Sequence, residues 1–256
     1  MELSRKITAR VHAKRLSHIE DDIVKPCMRE ERFEILIDME PYAVISGTPC
    51  NQKELVAGYL ISSGIIGSRN DIVSCRLCES NRFYVILGEE SMLNIRAAGG
   101  VAQYVRSGAP VNHENISAVN SVRLYTPEEI ATICRIIADN EELQNIRSLG
   151  FYAGVVREGK IISLFFDIKG VNVLDKLIGS LAGGEPFDGM LITNARPSTD
   201  IIMRCYTAKV PIGIFNGIPS NGGLNFAKKA AITVVSKDKP REYLVFADSA
   251  RRIRKI

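Results

Sequence analysis

The chain has no tryptophan, only three histidines in 256 residues, and little imbalance of charge. No apolar run reaches the roughly 18 residues that a membrane-spanning helix needs. Histidines 12, 18 and 113 have no neighbours that suggest a nucleophile–base–orienter set, so a serine-protease type triad is excluded. The 33 Lys and Arg residues against 29 Asp and Glu give a formal charge of +4, too weak and too scattered for a dedicated nucleic-acid binder. The basic N-terminal segment runs into Asp21 and Asp22 rather than an apolar stretch, so no secretory signal is expected and the reading is cytoplasmic, with neither membrane nor nucleic acid as partner.

What is present is an ordinary globular composition, 46% hydrophobic and 24% charged, long enough to bury a core without disulfides or a structural metal. The six cysteines are expected as reduced thiols, with Cys134 on an apolar helical stripe and hence in the core. Basic residues gather at both ends, Arg5 to Arg15 and Arg251 to Lys255, and read either as solvated tails or as anion-facing segments.

Along the chain, residues 32–38 and 42–46 form a strand pair around Met39-Glu40-Pro41, a helix follows Thr48-Pro49, and residues 71–78 and 82–87 form a second hairpin. Between 97 and 115 periodicity gives way to Gly, Ala, Ser and Pro. The reading is a mobile connection and a domain boundary. Thr126, Pro127 and Glu129 then open a helix with a capping box, its apolar face being Ile130, Ile133, Cys134 and Ile137. Beyond it strand-like runs (160–168, 190–193, 210–215, 231–235) alternate with helix-like ones (171–181, 199–208, 222–230), the pattern of an α/β sheet. The fold class is therefore α/β, α+β overall. The expected organisation is a basic tail 1–20, a smaller N-terminal α+β domain 21–115 and a larger C-terminal α/β domain 116–256.

Chemistry is expected at two strand-to-helix junctions. The strand ending at Thr193 passes through Asn194-Ala195-Arg196-Pro197 to a helix that Ser198 can cap. The strand ending at Phe215 passes through 216–223, with Ser220, to the next. If the strands are parallel, free backbone N–H groups, two helix N-termini and the Arg196 guanidinium meet at one edge and suit an anion or nucleotide; the alternative is that the glycines and prolines only make tight turns. Asn172, Asp175 and Lys176 share one helix face at i, i+3 and i+4, either as a solvated ion-pair face or as a polar cluster aimed at a ligand. Cys75-Arg76-Leu77-Cys78 is the only closely spaced thiol pair, a candidate for sulfur or redox chemistry. No second pair or histidine completes a zinc site, so no metal is expected. Strand alternation would put the two thiols on opposite faces unless the turn bends them together.

The order and wording of these segments resemble the FdhD family of formate dehydrogenase accessory sulfurtransferases, from about Glu40 to Phe246. The resemblance is carried by Glu40-Pro41, Thr48-Pro49 with Ala57-Gly58-Tyr59-Leu60 and Gly64-Ile65-Ile66, Asn172-x-Leu174-Asp175-Lys176-Leu177-Ile178-Gly179, Arg196-x-Ser198, Pro219-Ser220 and Ile232-Thr233-Val234-Val235. It implies a cytidine deaminase-like larger domain and a homodimer. It further implies sulfur accepted from a cysteine desulfurase and passed to a molybdenum cofactor carrying guanine dinucleotides, for formate dehydrogenase. Molybdopterin guanine dinucleotide, or guanosine diphosphate, is the implied ligand. Lys237, Lys239 and Arg241 then join Asn172, Asp175, Lys176, Arg196, Ser198 and Ser220 as implied binding residues.

Three departures stand out. The family's Cys-Gly-x-Cys-Gly loop aligns with Gly99-Gly100-Val101-Ala102, without thiols, which leaves Cys75 and Cys78 as candidate substitutes or the protein as a cofactor binder without sulfur transfer. The family's Gly-Arg-His-Asn is Lys169-Gly170-Val171-Asn172, and its Gly-Gly-x-His is Leu149-Gly150-Phe151-Tyr152. A deaminase-like hydrolase on this scaffold is the poorest of the three readings, because the His-x-Glu and Pro-Cys-x-x-Cys motifs of zinc deaminases are missing.

Overall fold

The computed structural model describes residues 7–78, 81–97, 99–100, 116–181, 187–239 and 242–254, without the side chains of 18–21. Strands β1 (Thr8–Arg15) and β2 (His18–Met28) make a two-stranded antiparallel ribbon. The basic tail expected over 1–20 is thus corrected in part: residues 8–28 pair with one another. The base of the ribbon is anchored by apolar burial, since Ile7 and Met28 join the core beside Tyr152 and Ile146.

A four-stranded sheet follows, ordered β4 (Glu40–Gly47), β3 (Glu31–Ile37), β6 (Arg82–Leu87), β5 (Ile72–Cys78). Phe33, Ile35, Phe83 and Val85 point to one face, alternating with the half-buried Glu34 and Tyr84. Helices α1 (Gln52–Ser62) and α2 (Glu89–Ala97) cover that face with Leu55, Val56, Leu60 and Ile95. The expected α+β character of this half is seen, with α2 an addition that the sequence reading lacked.

The larger half is a six-stranded sheet, ordered β12 (Glu242–Ala247), β11 (Thr233–Lys239), β10 (Ile212–Asn216), β9 (Met190–Thr193), β7 (Phe151–Arg157), β8 (Lys160–Asp167). Strands β9, β10 and β11 are mutually parallel, while β7, β8 and β12 run antiparallel to their neighbours. Helices α3 (Pro127–Asp139) and α4 (Glu141–Leu149) pack on one face, and α5 (Gly170–Ser180), α6 (Thr199–Thr207) and α7 (Asn221–Lys229) on the other. The capping box of α3 forms as expected: Thr126 Oγ1 accepts from Glu129 N and Glu129 returns the bond to Thr126 N. Cys134 is buried in the α3 face.

The basic C-terminal end is not a solvated tail throughout. Arg252 is 2% exposed and donates to the carbonyls of Val119, Pro211 and Ala231, stitching the chain end under the sheet. Most of the expected connection falls on 101–115, outside the described residues.

The two sheets are joined where α1 crosses α5, and two glycines set the distance. A Cβ on Gly58 would stand 1.7 Å from Asp175 O, and one on Gly179 would stand 2.0 Å from Glu54 O. Backbone therefore lies against backbone, closer than any side chain allows. Gly58→Ala and Gly179→Ala should each lower the free energy of unfolding by about 2 kcal/mol or more, as overpacking does. Gly67→Ala, whose new Cβ would meet only Asp71 Oδ2 at 3.6 Å, should leave denaturant midpoints unchanged.

Candidate functional site

Parallel strands bring the two junction loops together at the C-terminal edge of β9 and β10. Asn216 N donates to Ala195 O at 3.2 Å, Ser220 N to Pro197 O at 3.2 Å, and a Cβ on Gly223 would lie 2.4 Å from Pro197 O. Glycine at 217 accommodates a left-handed φ of 82°, and a Cβ added there would lie 3.5 Å from Arg196 Nε. The Arg196 side chain is exposed and has no hydrogen-bonding or ionic partner among the described residues.

The helix starts differ. Ser220 caps α7, accepting from Gly223 N at 3.0 Å, whereas Ser198 makes no side-chain bond to the first turn of α6. The α6 N-terminus thus keeps donors available beside Arg196, the arrangement that holds phosphate oxygens. Ile218 on the neighbouring loop is exposed and does not fill the rim.

Lys237 in β11 stands opposite Asn216, the last residue of β10, in the parallel ladder, within reach of the same edge. Lys239 lies two residues further and forms an exposed ion pair with Glu242 at 3.7 Å. Arg241 lies outside the described residues.

The polar face of α5 is turned elsewhere. Lys176 is fully buried and places Nζ 2.7 Å from Asp167 Oδ2, 2.8 Å from Phe166 O and 3.2 Å from Thr48 O, which uses all three of its protons. Asn172 Nδ2 donates to Ser46 O at 2.8 Å and to Asp167 Oδ1 at 3.1 Å. Thr48 closes the set, receiving at Oγ1 from Ile168 N and donating its own N–H to Asp167 Oδ2. Gly47 is required beside this cluster, because a Cβ there would meet Asn172 Nδ2 at 2.7 Å and Asp167 Oδ2 at 2.9 Å.

Asp175 joins a second lock. Arg204 holds it with two bonds, Nε to Oδ1 at 2.8 Å and Nη2 to Oδ2 at 3.1 Å, while Ser62 Oγ donates to Oδ1 at 2.6 Å. Burial pushes the Asp175 carboxyl upward, and the Arg204 guanidinium and Ser62 hydroxyl oppose that shift. Neither alternative drawn from the i, i+3, i+4 spacing describes these residues. They form neither a solvated face nor a ligand-facing cluster, but bind the N-terminal sheet's loop and helix to the C-terminal domain. Asn172, Asp175 and Lys176 thus lie in the junction rather than at the edge formed by the two loops, and Arg204 and Asp167, which the sequence reading did not include, enter the account.

The thiol pair is not brought together. Both residues sit in the regular strand β5, paired to Val85 and Arg82 on β6. Three residues at about 3.3 Å each separate them by about 10 Å, beyond the roughly 7 Å limit for a disulfide, and they face opposite sides. Cys75 packs against the N-terminal core and burial pushes its thiol up to about 11, while Cys78 is exposed. Cys50 lies 3.6 Å from Lys176 Nζ, yet burial outweighs that charge and raises its thiol as well.

Removing one partner of the buried pair leaves an uncompensated charge in the domain junction. Lys176→Met should therefore lower stability by about 3–5 kcal/mol, and Lys176→Met combined with Asp167→Leu by less than the sum of the two single changes, measured by denaturant unfolding.

Comparison with known proteins agrees with this architecture. Residues 28–253 match the sequence profile of the FdhD/NarQ family. The sulfur carrier protein FdhD of Sulfolobus acidocaldarius is 24% identical, over 87% of this chain and 89% of that protein. The protein of the same name from Chromobacterium violaceum is 26% identical over 76% and 78%. A solved structure from Desulfotalea psychrophila, described as a formate dehydrogenase accessory protein, superposes with a TM-score of 0.71 at 20% identity, covering 96% of this chain and 98% of the other. With a profile match spanning the ribbon's end, both sheets and the buried locks between them, the chain belongs to the FdhD/NarQ family.

Proposed function

We propose that this chain is an FdhD-type sulfur carrier and formate dehydrogenase accessory protein that holds a guanine nucleotide of the molybdenum cofactor at the C-terminal sheet edge. The observation that carries the binding half is the contact of loops 194–198 and 217–223 beside Arg196, whose side chain has no partner among the described residues, and the start of α6, where Ser198 makes no capping bond. That donor set fits the phosphate part of molybdopterin guanine dinucleotide or guanosine diphosphate: a planar guanidinium for two oxygens, backbone N–H groups and Ser198. When bound, the cofactor supplies the molybdenum centre that receives sulfur. The chain's own residues bind and orient its negatively charged part.

For the sulfur step, the acceptor must be a thiolate that attacks the outer sulfur of a cysteine desulfurase persulfide. The donor's S–S bond breaks and its thiolate leaves. Cys78 is the exposed thiol among the described residues and is the acceptor in this reading. The second reading, a cofactor-binding protein without sulfur transfer, is favoured by the glycines at 99 and 100 and by the separation of Cys75 from Cys78. Cytoplasmic action and a homodimeric state complete the proposal.

Guanosine diphosphate should bind the purified protein measurably by calorimetry, and Arg196→Ala should weaken it about tenfold, the scale of one charge-assisted contact. Equal affinity in both would remove Arg196 from the site. Incubation with an active cysteine desulfurase and cysteine should add the mass of one sulfur atom to the intact chain, and Cys78→Ala should abolish the gain. No gain in the wild type selects the second reading.

A further inference from the structure

The two edges of the four-stranded sheet are treated differently. At β4 the edge meets α5, where Asn172 Nδ2 donates to Ser46 O at 2.8 Å. At the opposite edge β5 pairs with β6 and, among the described residues, with no other strand. One row of its backbone N–H and C=O groups therefore faces outward, a template for a further strand about 4.8 Å away. The register to β6 shifts between Ile72 and Ser74 and is regular from there to Cys78. Sheet edges are commonly blunted by charges or proline, whereas β5 contains no proline and a single charged residue, Arg76.

The side chains of β5 divide by strand alternation. Ile72, Cys75 and Leu77 stand opposite Leu87, Val85 and Phe83, on the face that α1 and α2 cover. Leu77 is nevertheless 41% exposed, and Val73, at the register shift, 70%. The apolar layer thus continues past the last strand as an open shelf. On the other face Cys78 lies in register with Arg82, and Arg76 with Tyr84. Arg82 is held by Glu34 at 2.7 Å, while Arg76 is exposed and forms no ion pair among the described residues.

A segment that fits this edge is extended, apolar toward Leu77 and acidic opposite Arg76. The residue directly across from Cys78 in such a strand would place its Cβ about 5 Å away on the same face, near enough for sulfur to pass between two cysteines. The exposed thiol is then reached by strand pairing, without any movement of β5.

We infer that the free edge of β5 receives an extended, acidic segment of the persulfide donor as a fifth strand, with the donor cysteine opposite Cys78. The cargo rests on the sulfur-carrier reading, whereas the edge is argued from the sheet alone. The Cys78 thiolate attacks the outer sulfur and forms a new S–S bond, the donor's S–S bond breaks, and the donor thiolate leaves with the electron pair. The test uses the full chain with an active cysteine desulfurase and cysteine, and reads both hydrogen exchange in β5 and the rate at which the intact mass rises by one sulfur atom. Amides of residues 74–78 should exchange about tenfold more slowly once the desulfurase is added. Leu77→Lys and Val73→Lys should each slow loading from the desulfurase about tenfold. Loading from glutathione persulfide, which needs no strand pairing, should stay within about twofold of wild type in both. Val73 is mostly exposed, so its variant reads the edge even where Leu77→Lys loosens β5. Wild-type loading in both variants, without slowed amides in β5, overturns the edge and keeps the sulfur-carrier reading. Slowed amides without sulfur gain from either donor keep the edge and overturn the acceptor role of Cys78. Slowed amides in the free chain that depend on its own concentration assign the edge to a second copy and overturn the inference. Absence of both effects in wild type overturns the inference and the reading together.

Discussion

The contact of α1 with α5, backbone against backbone at Gly58 and Gly179, is the constraint on which the other arrangements depend. With the helices this close, the loop ahead of α1 must pass over the start of α5, which carries Ser46, Thr48 and Cys50 to Asp167, Asn172 and Lys176. The ion pair there has its remaining valences filled by backbone carbonyls and amides, the condition under which buried charges are tolerated. A second buried carboxylate, Asp175, is held by Arg204 from α6, so the same helix α5 links the N-terminal sheet to the element whose start borders the anion rim. The rim is thus positioned by a rigid junction although none of the junction's side chains face it.

Much of the architecture was legible in the sequence because its signals were local. The capping box at Thr126 and Glu129, the apolar period of α3, and the strand pairs β3–β4 and β5–β6 are set by neighbours a few residues apart, and all appear in the structure. The parallel arrangement of β9 to β11 followed from alternating strands and helices, and it brought the two junction loops together. The β1–β2 ribbon carried weaker signals, since its strands are polar and largely exposed, and α4 has a strongly polar composition that masks Leu143 and Ile146.

The site was read less completely, for a physical reason. The spacing of Asn172, Asp175 and Lys176 shows which side chains share a helix face, but not what covers that face. Their partners lie more than a hundred residues away in the case of Ser46, Thr48 and Ser62, and no pattern within α5 points to them. In the structure this run lies within the buried junction between the two halves.

The junction also has a consequence for biosynthesis. Thr48, Gly58 and Ser62 meet their partners in 166–176, so the first half of the chain leaves the ribosome with one face of α1, and the glycine that marks its centre, still waiting for α5 to be translated. Closing a loop of that length is an entropic cost met late, after most of the polypeptide has been made. Nascent chains of this protein therefore spend much of their synthesis with that side of α1 open to chaperones, and a truncated N-terminal half would keep it so permanently.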